Sequence, residues 1–130
     1  MNYNLKTDLN GKVAVVTGAG GILCGMFAKA LAAAGAKVAV LDLNETAAEK
    51  VAEEIRAEGG TAKAFKCNVL EKESLENCHA AVLAELGPCD ILINGAGGNN
   101  PRATTDDEYF EPEHIGSMKT FFDLDKDGVE

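Results

Sequence analysis

Along most of the chain, short apolar runs alternate with longer stretches whose apolar residues recur every three or four positions. Residues 13–16 form an unbroken run rich in β-branched side chains, the pattern of a central strand covered on both faces. The stretch after it predicts a helix with Leu23, Phe27, Ala30, Leu31 and Ala34 along one buried stripe, stopped by Gly35. Residues 37–41 read as a second strand closed by Asp42. Asn44 is then placed to cap a helix that buries Ala48, Val51, Ala52 and Ile55 and ends at Gly59 and Gly60. A third, more polar strand over 61–67 suits a sheet edge. The next helix carries Leu75, Cys78, Val82 and Leu86 on one face and stops at Gly87 and Pro88. A fourth strand over 90–94 runs into Gly95, Ala96, Gly97 and Gly98.

This alternation predicts an α/β fold with a parallel sheet and right-handed crossovers. In strand order 3-2-1-4, a crevice opens at the carboxyl ends of strands 1 and 4, where the order reverses and ligands bind. Both glycine turns fall there. The net charge of −9 is uneven: residues 1–105 hold 10 Lys/Arg against 12 Asp/Glu, residues 106–130 hold 2 against 9. A near-neutral body with an acidic tail argues against nucleic acid or an anionic membrane as partner. It also accompanies the loss of periodicity after Gly98, so that residues 1–98 read as the folded domain. Residues 99–130 read as an acidic loop with a fragment of a further element near 121–124. No run reaches the length of a membrane span, and the N-terminus lacks the apolar stretch of a signal peptide, which makes the cytoplasm the expected compartment. The four cysteines lack metal-ligand spacing and read as reduced thiols, buried or half-buried.

The chemistry starts at Thr17-Gly18-Ala19-Gly20-Gly21-Ile22-Leu23, between strand 1 and its helix. A strand, a glycine turn and a helix N-terminus together make an anion site, because backbone N–H groups and the helix dipole point at whatever lies there. Gly18 and Gly20 fit the dinucleotide spacing G-x-G-x-x-G, but Leu23 takes the third place. Asp42 ends strand 2, 24 residues after Gly18. An acid there either opens the turn before Asn44 or accepts the two adenosine ribose hydroxyls while repelling a 2′-phosphate. The glycine turn one βα unit earlier favours the second reading, and with it NAD over NADP.

These residues resemble a family. The opening over 9–18 is similar to that of short-chain dehydrogenases/reductases, and Asp42 resembles their NAD-selecting acid. Asn68-Val69 stands where they carry Asp-Val, and Asn94-Gly95-Ala96-Gly97 where they carry Asn-Asn-Ala-Gly. The resemblance implies a doubly wound Rossmann-type sheet, present as its N-terminal half. It implies that Gly18, Gly20 and Gly21 line the pyrophosphate, with Ile22 and Leu23 leading toward the nicotinamide half. Asn68 and Val69 would flank the adenine, and Asn94, Gly95, Ala96 and Gly97 would support the strand 4 turn and the cofactor ribose. Within the family, Gly-Ala-Gly-Gly-Asn-Asn-Pro resembles the branch of sugar-acid oxidoreductases of the mannonate/fructuronate type. Two departures stand out: Ile22 and Cys24 replace the last two glycines of Thr-Gly-x-x-x-Gly-x-Gly, and Gly95 lacks the side chain that ties strands together in the family.

The resemblance implies NAD-dependent oxidoreduction of a hydroxyl/carbonyl pair, by means of a Ser and a Tyr-x-x-x-Lys. Here Tyr3 and Tyr109 are followed four residues on by Thr7 and Glu113, so no catalytic residue is assigned. The expectation is a truncated cofactor half that meets a small-molecule substrate only in a full-length form. The alternative is a non-catalytic dinucleotide-binding or interaction module, open to forming a homo-oligomer along an unpaired strand 4 edge. A Rossmann methyltransferase fits the Thr17-Gly18 lead-in and the strand 4 turn less well. Asp123, Asp125 and Asp127 match the first half of a calcium loop, but Glu130 precedes the position of its closing ligand, so a solvated turn is expected and no metal. His79 and His114 read as a helix-surface and a loop histidine.

Overall fold

The computed structural model describes residues 6–98 and 101–129. Tyr3 and the Asn99-Asn100 pair therefore lie outside the described residues. Two compact units divide the chain, Met1–Ala96 and Gly97–Glu130.

In the first unit β1 (Val13–Thr17), β2 (Lys37–Asp42), β3 (Thr61–Lys66) and β4 (Ile91–Ile93) form one parallel sheet in the order β3-β2-β1-β4. Helices α1 (Ile22–Ala33), α2 (Glu45–Ala57) and α3 (Lys72–Glu85) connect them. The architecture is the Rossmann-type half expected from the sequence. Side chains alternate across the strands. Ala14, Val16, Val38 and Val40 bury against α1 and α2, and Val13, Val15, Ala39 and Leu41 against α3. Continuous apolar runs in β1 and β2 follow from this double cover.

Helix α2 buries the expected stripe and is capped by Asn44, whose Oδ1 accepts from Ala47 N at 3.1 Å. Helix α1 does not bury the predicted one. Its buried residues are Cys24, Gly25, Ala28 and Ala32, while Leu23 is 62% and Phe27 41% exposed. This helix is apolar around much of its girth, so periodicity alone leaves its rotation open. Packing distance decides it. A Cβ on Gly25 would already come within 3.2 Å of the Ala19 carbonyl oxygen and 3.4 Å of Val51 Cγ2, so only the small-residue stripe fits against the loop and α2. Lys29 pairs with Glu54 across the two helices, and that hydrogen bond holds the Glu54 carboxyl below its usual range.

Helix α3 buries Cys78 and Val82, whereas Leu75 is 40% exposed at the lip of an open cavity of about 370 Å³ beside β4. Burial, and then the neighbouring Cys67, pushes the Cys78 thiol up to about 12, so it is protonated at neutral pH and packs as an apolar group. Cys24 and Cys67 are also buried. Cys89 is exposed, contrary to expectation, because it sits in the loop entering β4 with its thiol turned to the Ile91 carbonyl. Strand β4 is shorter than the predicted 90–94. Asp90 instead closes the open end of β1: its N–H donates to Val13 O and its Oδ2 accepts from Val13 N, both at 2.9 Å.

The second unit contains 3₁₀ turns at Pro101–Ala103, Pro112–His114 and Phe121–Asp123 and the short helix α4 (Lys126–Val129). The expected fragment near 121–124 is the third of these turns, closed by reciprocal hydrogen bonds between Thr120 and Asp123. No described helix is long and apolar enough to cross a membrane.

Candidate functional site

The two glycine turns meet at the carboxyl ends of β1 and β4. Gly18 leaves β1 with φ +66°, and a Cβ there would lie 2.8 Å from the Gly95 carbonyl oxygen and 3.0 Å from Ala96 Cα. The turns are thus packed backbone against backbone, which only glycine at 18 permits. From there Ala19 N donates to Leu41 O at 3.0 Å, anchoring the loop to the end of β2.

Asp42, half-buried at that strand end, does two things. Its Oδ2 accepts from Gly20 N and its Oδ1 from Asn44 N, each at 2.9 Å. The turn-opening role and the contact with the glycine loop therefore coexist in one carboxylate. Each of its oxygens retains a second lone pair for a further donor. Gly20 makes room for this, since a Cβ on it would sit 3.0 Å from the carboxylate and 2.8 Å from Ala47 Cβ.

Gly21 is the N-cap residue of α1, with extended backbone, no side-chain cap and no acid in the first turn. The N–H groups of Ile22, Leu23 and Cys24 have no carbonyl one turn earlier to bond, so this end of the helix is a bare donor cluster carrying the positive end of the dipole. The unusual residues are accommodated by direction: Ile22 points to solvent at 89% exposure, whereas Cys24 turns inward at 8%.

The sequence assigns Thr17 no role of its own beyond the lead-in to the glycine turn, yet it holds the second turn. Its buried hydroxyl accepts from Gly95 N at 3.0 Å and Ala96 N at 3.1 Å, and donates toward Ile93 O at 3.5 Å. The signal is present in the Thr-Gly lead-in, but its partners lie in a turn 78 and 79 residues away. Replacing Thr17 with valine preserves the shape and strips these turn N–H groups of their acceptor. A loss of about 1–2 kcal/mol is expected by thermal or urea unfolding, with Thr17→Ser close to wild type.

Asn94 is exposed and lines the α3-side cavity together with Thr17. Asn68 lies beyond β3. Its Oδ1 accepts from Leu70 N at 3.1 Å, and its own N–H donates to Ser74 Oγ at 2.9 Å. Its amide NH₂ faces no described partner. Val69 packs half-buried against the Cys78 and Val82 side of the core. Gly97 opens the second unit and is described with that unit.

In that unit, the acids that resemble half a calcium loop are engaged by neighbouring groups, Asp125 and Asp127 sharing Arg102. Asp123 accepts from the Thr120 N–H and hydroxyl, which hold it below the usual carboxylate range. Asp125 is held low chiefly by Arg102 and then by the Asp127 N–H. His79 is exposed on α3, and His114 Nδ1 lies 2.9 Å from Asp107 Oδ2. Tyr109 is 74% exposed.

A family model described as short chain dehydrogenase matches residues 12–119. An uncharacterized oxidoreductase of Haemophilus influenzae (strain ATCC 51907 / DSM 11121 / KW20 / Rd) is 52% identical over 130 residues, all of this chain and 46% of that relative. Among solved structures, a candidate D-mannonate oxidoreductase from Haemophilus influenza with bound NAD is 52% identical with a TM-score of 0.81, over 95% of this chain and 44% of that one. A metagenomic short-chain oxidoreductase in complex with NADP is 35% identical with a TM-score of 0.66, over 70% and 41%. The chain thus spans about half the length of the relatives it matches. With its sheet order, its glycine turns and this match agreeing, the chain belongs to the short-chain dehydrogenase family, whose members bind a nicotinamide dinucleotide.

Proposed function

We propose that this chain binds NAD(H) across the carboxyl ends of β1 and β4, as the cofactor half of an oxidoreductase acting on a hydroxyl/carbonyl pair. The observation that carries the reading is Asp42, an acid at the end of β2 whose carboxylate touches the glycine loop at Gly20 N. The cradle fits the group: glycine at 18 lets the turns of β1 and β4 pack against one another, and the uncapped N-terminus of α1 offers N–H donors to a pyrophosphate. When bound, the nicotinamide supplies or takes up the hydride. This chain's own residues bind and orient. Gly18, Gly20 and Gly21 leave room for the phosphates, Ile22 and Leu23 present N–H groups, and Asp42 accepts ribose hydroxyls and repels a 2′-phosphate. Asn68 and Val69 bound the adenine. Thr17 holds Asn94, Gly95 and Ala96 as the ribose support, through its bonds to Gly95 and Ala96.

A sugar acid is the substrate class we favour. It agrees with the glycine-rich stretch after β4 and with the name of the 52% identical neighbour. The proton-transfer groups of such a reaction are not assigned in this chain, since Tyr109 is followed four residues later by Glu113 rather than lysine.

The cofactor reading is tested by melting the chain with each dinucleotide at equal concentration. NADH is expected to raise the melting temperature more than NADPH, because at equal concentration the tighter-binding ligand stabilises the folded state more. Equal shifts would remove Asp42 from the site.

A further inference from the structure

Two of the departures from the family pattern, Cys24 and Gly95, meet in space. A Cβ on Gly95 would fall 2.1 Å from Cys24 Sγ and 3.3 Å from Cys24 Cβ, and the thiol lies 3.8 Å from the Gly95 carbonyl oxygen. One residue is larger than the resemblance leads one to expect and the other is smaller. The extra volume of the first occupies the space vacated by the second. Cys24 could not be placed this way if residue 95 carried a side chain.

We propose that Cys24 is a positioning residue of the cleft: its side chain holds the β4 turn at the distance where Gly18 and Gly95 touch, replacing the tie that a side chain at 95 would provide. This rests on the cofactor reading given above. The thiol is buried at 8% exposure in the first turn of α1, so it links the bare helix end to the β4 turn from beneath. Its weak S–H donor reaches the Gly95 carbonyl, while Thr17 takes the Gly95 N–H from the other side. The turn is thereby gripped at both its donor and its acceptor.

The test is a cycle of Gly95→Ala, Cys24→Ala and the double variant in the full chain. Melting temperature is read without ligand, and NADH and 5′-AMP binding are read by titration. AMP reports on the Asp42 end, which neither side chain touches. Gly95→Ala is expected to lower the melting temperature and weaken NADH about tenfold, with AMP within about twofold of wild type. Cys24→Ala should weaken NADH about threefold and leave AMP unchanged, and Cys24→Ser should restore most of that loss. The double variant should regain more than half of what Gly95→Ala loses. Full recovery is not expected, because a Cβ at 95 also approaches the Thr17 carbonyl oxygen to 2.9 Å. Additive losses in the cycle, or a Cys24→Ala variant with unchanged NADH binding, would overturn the proposal. If Gly95→Ala does not fold, a folded double variant supports the pairing and an unfolded one refutes it. Should the wild-type chain bind neither dinucleotide, the cofactor reading falls, and recovery or additivity in the melting cycle still decides whether the two residues are matched.

Discussion

Gly18→Ala is expected to cost about 3 kcal/mol of stability and to reduce NADH affinity by at least tenfold. Two effects add. A non-glycine residue at φ +66° is held in a sparsely populated conformation, at roughly 1–2 kcal/mol. The new methyl also meets the Gly95 carbonyl oxygen at 2.8 Å, a backbone atom that cannot swing aside as a flexible side chain would. Relieving that contact means parting the turns of β1 and β4, at roughly another 1–3 kcal/mol. Gly59 provides the control. It has φ +88° but open space around its would-be Cβ, so Gly59→Ala should show the conformational penalty alone. For a domain of this size the melting temperature of Gly18→Ala should fall by roughly 10–15 °C, and that of Gly59→Ala by about a third as much. Equal losses would mean that the contact between the turns is unimportant.

Asp42→Ala is expected to weaken NADH by about tenfold to a hundredfold while leaving NADPH nearly unchanged, so that the gap between them narrows. Hydrogen bonds to a charged acceptor are worth roughly 1.5–3 kcal/mol, and about 1.4 kcal/mol is a factor of ten in affinity. Removing the charge also removes the repulsion of a 2′-phosphate, which offsets the loss for NADPH alone. The same substitution strips Gly20 N and Asn44 N of their acceptor, so the ligand-free protein should melt earlier as well. Asp42→Asn separates the two roles, because it keeps one oxygen for the loop and gives up the charge. Its melting temperature should lie between those of wild type and alanine, and its NADH preference should be as narrow as alanine's. A drop in stability with an unaltered NADH to NADPH ratio would reduce Asp42 to a turn residue.

Much of the fold was legible because it depends on local pattern. The runs of β1 and β2 are apolar throughout since both faces are covered, and the α2 stripe stands out against polar neighbours such as Glu49, Lys50 and Glu53. Helix α1 defeated the same approach. With apolar side chains on several faces, its rotation is set by how closely Gly25 lets it approach Ala19 and Val51, a distance that no spacing encodes. Asp90 lies next to the apolar run of β4 and shares its pattern, but the sequence does not reveal that its carboxylate caps Val13. At the candidate site, the glycines and Asp42 announce themselves by residue type and position. Thr17 does not, since the groups it binds are brought to it only when the sheet closes. The Cys24 and Gly95 departures each looked like a weakness when taken singly, and they make sense only as neighbours.

The register of the sheet bears on how the molecule assembles. Lys37 pairs with Val13 and Thr61 with Lys37, each across one βα unit, whereas Ile91 must return to Ala14 past all three helices. Closing a loop about three times longer carries an extra entropy penalty of roughly 1 kcal/mol, repaid by only three paired positions in β4. The β1–β4 seam is therefore the most readily opened junction of the sheet, and local unfolding should begin there. Gly18 and Gly95 face one another across that same seam. A ligand lying over both turns would bind only the closed form, acting as a latch on the strand most prone to detach, and amide hydrogen exchange in β4 would slow before that in β2 or β3.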